Sequence, residues 1–202
     1  MKVKICGITN PEDAAEAVQA GADALGFIFH EASPRYITPA GARLIIDALP
    51  PGILPVVVFV NASRDAILRT IDQTGIACVQ LHGEEKPAET LGLPVLVWKA
   101  FRVHSGFEPC ILKRYQIDAY LLDTYSPERR GGTGRTFDWS IAVAAKQFGN
   151  IVLSGGITPE VVAEAVRTVH PYAIDVNSGV ESKEGKRDRL KLQQLFANIP
   201  IE

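Results

Sequence analysis

Short apolar runs rich in valine, isoleucine and leucine alternate along this chain with stretches in which apolar residues recur every three or four positions. Runs of the first kind predict buried strands and stretches of the second kind amphipathic helices. Strands are expected at Val3–Cys6, Ala24–Phe29, Leu54–Val60, Cys78–Leu81, Val95–Ala100, Tyr120–Asp123, Ile151–Ser154 and Ala173–Val176. Helices are expected between them at Pro11–Ala20, Pro39–Leu49, Arg64–Gln73, Lys86–Leu91, Phe107–Arg114, Trp139–Phe148 and Pro159–Val169, with a last one at Arg187–Ala197. Such alternation implies parallel strands joined by crossover helices. Eight strand–helix units in 202 residues fit one compact α/β domain, a (β/α)8 TIM barrel over residues 1–202, better than the alternative open doubly wound sheet.

An internal echo supports repetition of the unit. Gly7-Ile8-Thr9 and Pro11 through Val18 match Gly156-Ile157-Thr158 and Pro159 through Val166 once Asn10 is skipped, so the first and seventh units are expected to share one strand-to-helix turn. Similar helix-entry chemistry also recurs without common origin. In a barrel of this kind all strand C-termini open on one face, and residues there carry chemistry while those at the other face carry stability. The candidates on that rim are Cys6, the Ser33-Pro34-Arg35 loop, Gln80, His82, Lys99, Arg102, Asp123, Gly131–Gly134, Gly155-Gly156 and Asp175 through Gly179.

Composition narrows the chemistry. A formal charge of -2 and a pI near 6.1 leave no footprint for nucleic acid or an anionic membrane, so any anion site is local. No apolar run reaches the length of a membrane span, and Met1 leads straight into a strand, so a cytoplasmic protein is expected. Cys6, Cys78 and Cys110 are odd in number and far apart, and the four histidines lack ligand spacing, so neither a disulfide framework nor a metal is expected.

Cys6 sits where a strand ends and a helix begins. A buried cysteine is most often a small hydrophobe, but the N–H groups at a helix start can lower a thiol pKa, which makes Cys6 a candidate base or nucleophile. Asp123 ends an apolar run and is either a turn residue or, in a partly apolar site, a general acid. The glycine-bearing turns Gly155-Gly156 and Ser178-Gly179 follow consecutive strands, where barrel enzymes often bind phosphate, although each alone reads as a tight turn. Gly131-Gly132-Thr133-Gly134 is either a surface loop or one that closes over a ligand. It matches neither a dinucleotide fingerprint nor a P-loop. Arg35 is suited to a bidentate carboxylate contact or to solvent. Asp175 orients a polar group or caps a helix, and His82 touches substrate or is a satisfied loop residue. Lys99 is a Schiff-base candidate if buried with a low pKa, and more often an ion-pair partner.

Taken as an ordered set, Lys4-Ile5-Cys6-Gly7-Ile8-Thr9, Ser33-Pro34-Arg35, Val79-Gln80-Leu81-His82-Gly83, Leu122-Asp123, Gly131-Gly132-Thr133-Gly134, Ser154-Gly155-Gly156-Ile157 and Asp175 through Glu181 closely resemble the phosphoribosylanthranilate isomerase family over nearly the whole chain. The resemblance implies a cofactor-free Amadori rearrangement of a phosphorylated aminosugar in tryptophan biosynthesis. By the same resemblance Asp123 is the acid that opens the ribose ring and Cys6 the base that takes the C2 proton. Arg35 holds the anthranilate carboxylate, Asp175 lies near the substrate amine, His82 belongs to the substrate site, and Gly155, Gly156, Ser178 and Gly179 seat the phosphate. The expected partner is that small molecule alone, with no nucleic acid and no membrane, on a monomer or homodimer. Two alternatives stand beside this reading. The related isomerase of histidine biosynthesis resembles a pair of aspartates in place of Cys6 with Asp123. A non-catalytic phosphate-ligand-binding barrel would need neither residue.

Overall fold

The computed structural model describes residues 1–124 and 137–200. Eight parallel strands close into a barrel in strict chain order: β1 (Lys2–Ile5), β2 (Ala24–Ile28), β3 (Leu54–Phe59), β4 (Cys78–Leu81), β5 (Leu96–Val103), β6 (Ala119–Thr124), β7 (Ile151–Leu153) and β8 (Ala173–Val176). The ring is shut by β1 against β8, with Lys2 opposite Ala173 and Ile5 opposite Val176. Helices α1 (Pro11–Ala20), α2 (Pro39–Asp47), α3 (Arg64–Thr74), α4 (Pro87–Thr90), α5 (Trp139–Ala145), α6 (Val162–Val169) and α7 (Arg189–Asn198) follow the strands, and a small hairpin, β9 (Glu181–Lys183) with β10 (Lys186–Arg187), precedes α7. The expected TIM barrel is therefore present. Among the described residues no helix is long and apolar enough to cross a membrane.

Helix starts follow local side-chain chemistry. The Asn10, Thr38 and Ser63 side chains accept from the backbone N–H three residues on, and Pro11 and Pro39 occupy the first helical turn, where a missing N–H costs nothing. The helix expected over Trp139–Phe148 ends as a 3-10 turn from Lys146, and three others differ in detail. The unit after β5 carries a 3-10 helix, Pro109–Arg114, instead of an α-helix from Phe107, because Glu108 precedes a proline and is held extended at φ -103, ψ 113. Unit seven begins its helix at Val162, not at Pro159, and Pro159 through Val161 form a turn in which the Val161 and Val162 N–H groups both donate to Thr158 O, at 3.2 and 3.0 Å. Arg187, expected to open the last helix, lies in β10, and Asp188 caps α7 by accepting from Leu190 and Lys191 N–H.

Side chains alternate across each strand, so one parity faces the helices and the other the barrel interior. Val3, Ile5, Val57, Phe59, Leu122 and Ile174 belong to the cluster between strands and helices. The interior parity starts apolar at the strand beginnings, with Ala24, Val56, Cys78, Trp98, Ala119 and Ala173 packed together. Further along the same parity it turns polar: Lys4, Gln80, Asp123 and Asp175 are all buried. Burying that many polar groups demands partners, and their pairing builds the site.

Candidate active site

A cavity of about 520 Å³ opens at the C-terminal ends of the strands. The residues that the resemblance implies for the site, Cys6, Arg35, His82, Asp123, Gly155, Gly156, Asp175, Ser178 and Gly179, all line it, and of the other rim candidates Gln80 does as well. Ile28, Val58 and Val60 supply an apolar wall, and the two glycine-bearing turns face it from β7 and β8. Gly155 and Gly156 both take positive φ, +79° and +73°, a conformation that would strain any residue with a Cβ. The Gly131–Gly134 loop lies outside the described residues.

Lysine 4 organises the floor. It is wholly buried, two residues before Cys6 on the interior parity of β1, and its Nζ donates to Asp175 Oδ1 at 2.8 Å and to Gln80 Oε1 at 2.7 Å. An ammonium can only donate, so it fixes the Gln80 amide with oxygen toward Lys4 and nitrogen outward. Gln80 Nε2 then stands 2.9 Å from His82 Nδ1 and donates to it, which places the imidazole proton on Nε2. That nitrogen lies 3.3 Å from Asp123 Oδ2. One directed chain thus runs from Lys4 beside the thiol through Gln80 to His82, whose buried Nε2 faces the Asp123 carboxylate across the cavity without a hydrogen bond to it. Ser154 Oγ approaches Asp175 Oδ2 at 3.4 Å from β7.

The thiol environment differs from the expectation. Burial pushes the Cys6 pKa up, the nearby Lys4 charge pulls it down and Asp175 pushes it up again, with a net rise. The helix start is too weak to offset removal from water, since dipole effects are small beside desolvation of a buried thiolate. For Lys4, burial alone would lower the pKa, but the Asp175 carboxylate and the Cys6 sulfur outweigh it, so the ammonium persists.

Arg35 is neither solvated nor open. Its Nε and Nη2 form a fork on Glu181 at 2.8 and 2.7 Å, and its Nη1 stands 3.7 Å from the half-exposed Glu184. Hydrogen bonding to Glu181 raises its pKa further. Lys99 has the opposite parity from the site, lies outside the cavity, and spends its donors on Gly83 and Ala100 carbonyls at 2.9 and 2.7 Å and on Glu85 at 3.1 Å. The ion-pair reading of Lys99 therefore holds, although burial does lower its pKa. Arg102 lies outside the cavity as well and pairs with Glu84 at 3.2 Å.

Lys4, Glu181 and Arg187 were not anticipated. For Lys4 a signal existed: two places before Cys6 in a strand buried on both faces, it had to share the inner face with the thiol. Glu181 closes the last quoted motif without a role of its own and nothing marks Arg187; besides their mutual pair they bond Arg35, Gly7 and Asp13, all far away in sequence.

A sequence model of the family described as N-(5'phosphoribosyl)anthranilate (PRA) isomerase matches residues 3–198. The N-(5'-phosphoribosyl)anthranilate isomerase of Citrifermentans bemidjiense is 55% identical over 196 residues, which cover 97% of this chain and 95% of that protein. Among solved structures, the phosphoribosyl anthranilate isomerase of Thermus thermophilus is similar with a TM-score of 0.90 and 38% identity over 98% of each chain. A phosphoribosyl anthranilate isomerase in complex with reduced 1-(o-carboxyphenylamino)-1-deoxyribulose 5-phosphate is similar with a TM-score of 0.85 and 39% identity, over 98% of this chain and 97% of that one.

Proposed function

The chain belongs to the N-(5'-phosphoribosyl)anthranilate isomerase family, and we propose that its mouth cavity runs the family reaction with Asp123 as general acid and Cys6 as general base. The protein is an isomerase of tryptophan biosynthesis, converting N-(5'-phosphoribosyl)anthranilate into 1-(2-carboxyphenylamino)-1-deoxyribulose 5-phosphate.

In the proposed sequence the Asp123 carboxyl gives its proton to the ribose ring oxygen while the C1–O bond breaks, and the anilino nitrogen lone pair forms the iminium. The Cys6 thiolate then takes the C2 proton, and the electron pair of that C–H bond neutralises the iminium to give an enolamine. Protonation at C1 and loss of the C2 hydroxyl proton complete the ketone. A carbon-bound proton becomes acidic enough for a thiolate only beside such an iminium, so the acid step must precede the base step. The glycine turns of β7 and β8 are suited to the phosphate and the apolar wall of Ile28, Val58 and Val60 to the aromatic ring, with Arg35 at its edge for the carboxylate. Asp175 is suited to the amine side of the sugar.

The observation that carries this reading is the placement of a thiol and a carboxylate on the inner parity of β1 and β6, facing one cavity between an apolar wall and two glycine turns. Substrate fluorescence, which is lost on rearrangement, gives the test. Cys6→Ala and Asp123→Asn are each expected to lower kcat by about 10²–10⁴-fold with KM little changed. Near-normal turnover in either variant removes that residue from the mechanism.

A further inference from the structure

A base must be ionised before it can act, and burial works against ionisation of Cys6. Something in the fold has to oppose that cost. The charged groups facing the sulfur are Lys4 on its own strand, Asp175 on β8, Arg187 on β10 and Arg35 in the loop after β2. His82 and Asp123 line the same cavity. Of the cations, Arg35 and Arg187 are already committed to Glu181, at 2.7 and 2.9 Å.

Lys4 is placed differently. A Cβ built on Gly26 would fall 2.6 Å from Cys6 Sγ and 3.0 Å from Lys4 Cε, so the sulfur and the end of the lysine stem converge on one point, in space that only a glycine leaves open. Two of the three ammonium N–H groups go to Asp175 and Gln80. We propose that Lys4 is a positioning residue for the isomerisation: its ammonium, anchored by Asp175 and Gln80, turns its third N–H to the Cys6 sulfur and offsets part of the cost of forming the thiolate that accepts the substrate C2 proton. This rests on the reading of Cys6 as the base. The thiol proton leaves to solvent through the cavity mouth before substrate binds. During turnover a new S–H bond forms as the C2–H bond breaks, and Lys4 keeps its proton throughout. It contributes charge, not a proton, and the same ammonium sets the Gln80–His82 orientation toward Asp123.

The coupling is read without substrate, as the thiolate ultraviolet absorption of the protein minus that of Cys6→Ser, followed against pH. Lys4→Met is expected to raise the Cys6 midpoint by about 1–3 pH units, the range for loss of one close opposite charge. Because Lys4→Met leaves the Asp175 carboxylate buried and unpaired, Lys4→Gln, which keeps hydrogen-bonding capacity without the charge, is run alongside. Asp175→Asn removes the anion competing for the ammonium and is expected to move the midpoint down. The ascending, acid-side limb of kcat/KM against pH, which reports ionisation of the base, should shift to higher pH in step in the Lys4 variants. An unmoved midpoint across these variants overturns the coupling, and a moved midpoint with an unmoved kcat/KM limb overturns its catalytic role. Near-normal turnover of Cys6→Ala would instead sink the base assignment itself, a distinct result.

Discussion

Arg35 meets two demands that compete for one guanidinium. The fold uses Nε and Nη2 on Glu181, a bidentate pair in which both partners are largely buried, and that leaves Nη1 as the donor edge with the weakest engagement, 3.7 Å from an exposed glutamate. On the proposed role, a substrate carboxylate would meet a guanidinium already fixed in orientation, and binding would displace Glu184 while Glu181 stays. On this account Arg35→Met raises KM by about tenfold or more while kcat falls less, and Arg35→Lys does not restore binding, because a point charge cannot hold Glu181 and the ligand in one plane. Steady-state kinetics on the fluorescent substrate decide it, and an unchanged KM and kcat would count against the clamp. Glu184→Gln, outside the buried fork, is expected to leave KM unchanged or lower it. Sequence made Arg35 a candidate for a carboxylate, but it named only the foreign one. Pairing with Glu181 depends on the β9–β10 hairpin folding back over the barrel mouth, and no spacing along the chain announces that.

At the scale of elements, strands and helices obey different logics of legibility. Strand positions were readable because barrel strands are buried on both faces and appear as unbroken apolar runs. That same continuity hides which parity faces inward, and so hides which polar residues share the interior. Helix starts were readable where a capping side chain and a first-turn proline coincide, as at Asn10-Pro11. They misled at Thr158-Pro159, where the same residue types make no side-chain cap. The echo between units one and seven shows the effect cleanly: Gly7 and Gly156 share a positive φ, +75° and +73°, but only the unit with Asn10 begins its helix at the proline. Asn10→Ala is therefore expected to cost about 1 kcal/mol in urea unfolding, the usual worth of an N-cap, with kcat kept within a few-fold. Asp13 N–H, which the Asn10 side chain accepts at 2.9 Å, would lose its partner. A loss of activity without loss of stability would mean that the cap's real role is to aim the Cys6 turn.

For the whole molecule the question is how a barrel joins its first strand to its last. Backbone pairing of β1 with β8 does part of this, and a buried charge cluster does the rest above it. Arg187 donates to Gly7 O at 2.9 Å in the first unit, to Asn177 O at 2.7 Å after β8 and to Glu181 Oε1 at 2.9 Å in the hairpin, while its own N–H is accepted by the fully buried Asp13 of α1 at 2.9 Å. Glu181 is thus shared between Arg35 and Arg187. Burial works to raise its pKa, but the Arg35 hydrogen bonds and the Arg187 charge outweigh it, so the carboxyl is held below the ordinary glutamate value of 4.5. A depressed carboxyl pKa stabilises the fold at any pH above the unfolded value, and that stabilisation is lost as pH falls through the folded value. Wild-type protein should accordingly be insensitive to pH on this account down to about 4.5 and lose stability below it. Glu181→Gln strands two arginines beside a neutral amide. It is expected to cost about 3–5 kcal/mol at neutral pH, as for other broken buried pairs, and to lose less on further acidification. Urea unfolding of both proteins at neutral pH and near pH 3 measures this. Parallel acid losses in the two would show that the seam between the first and last units draws its stability from packing, with the shared glutamate adding nothing.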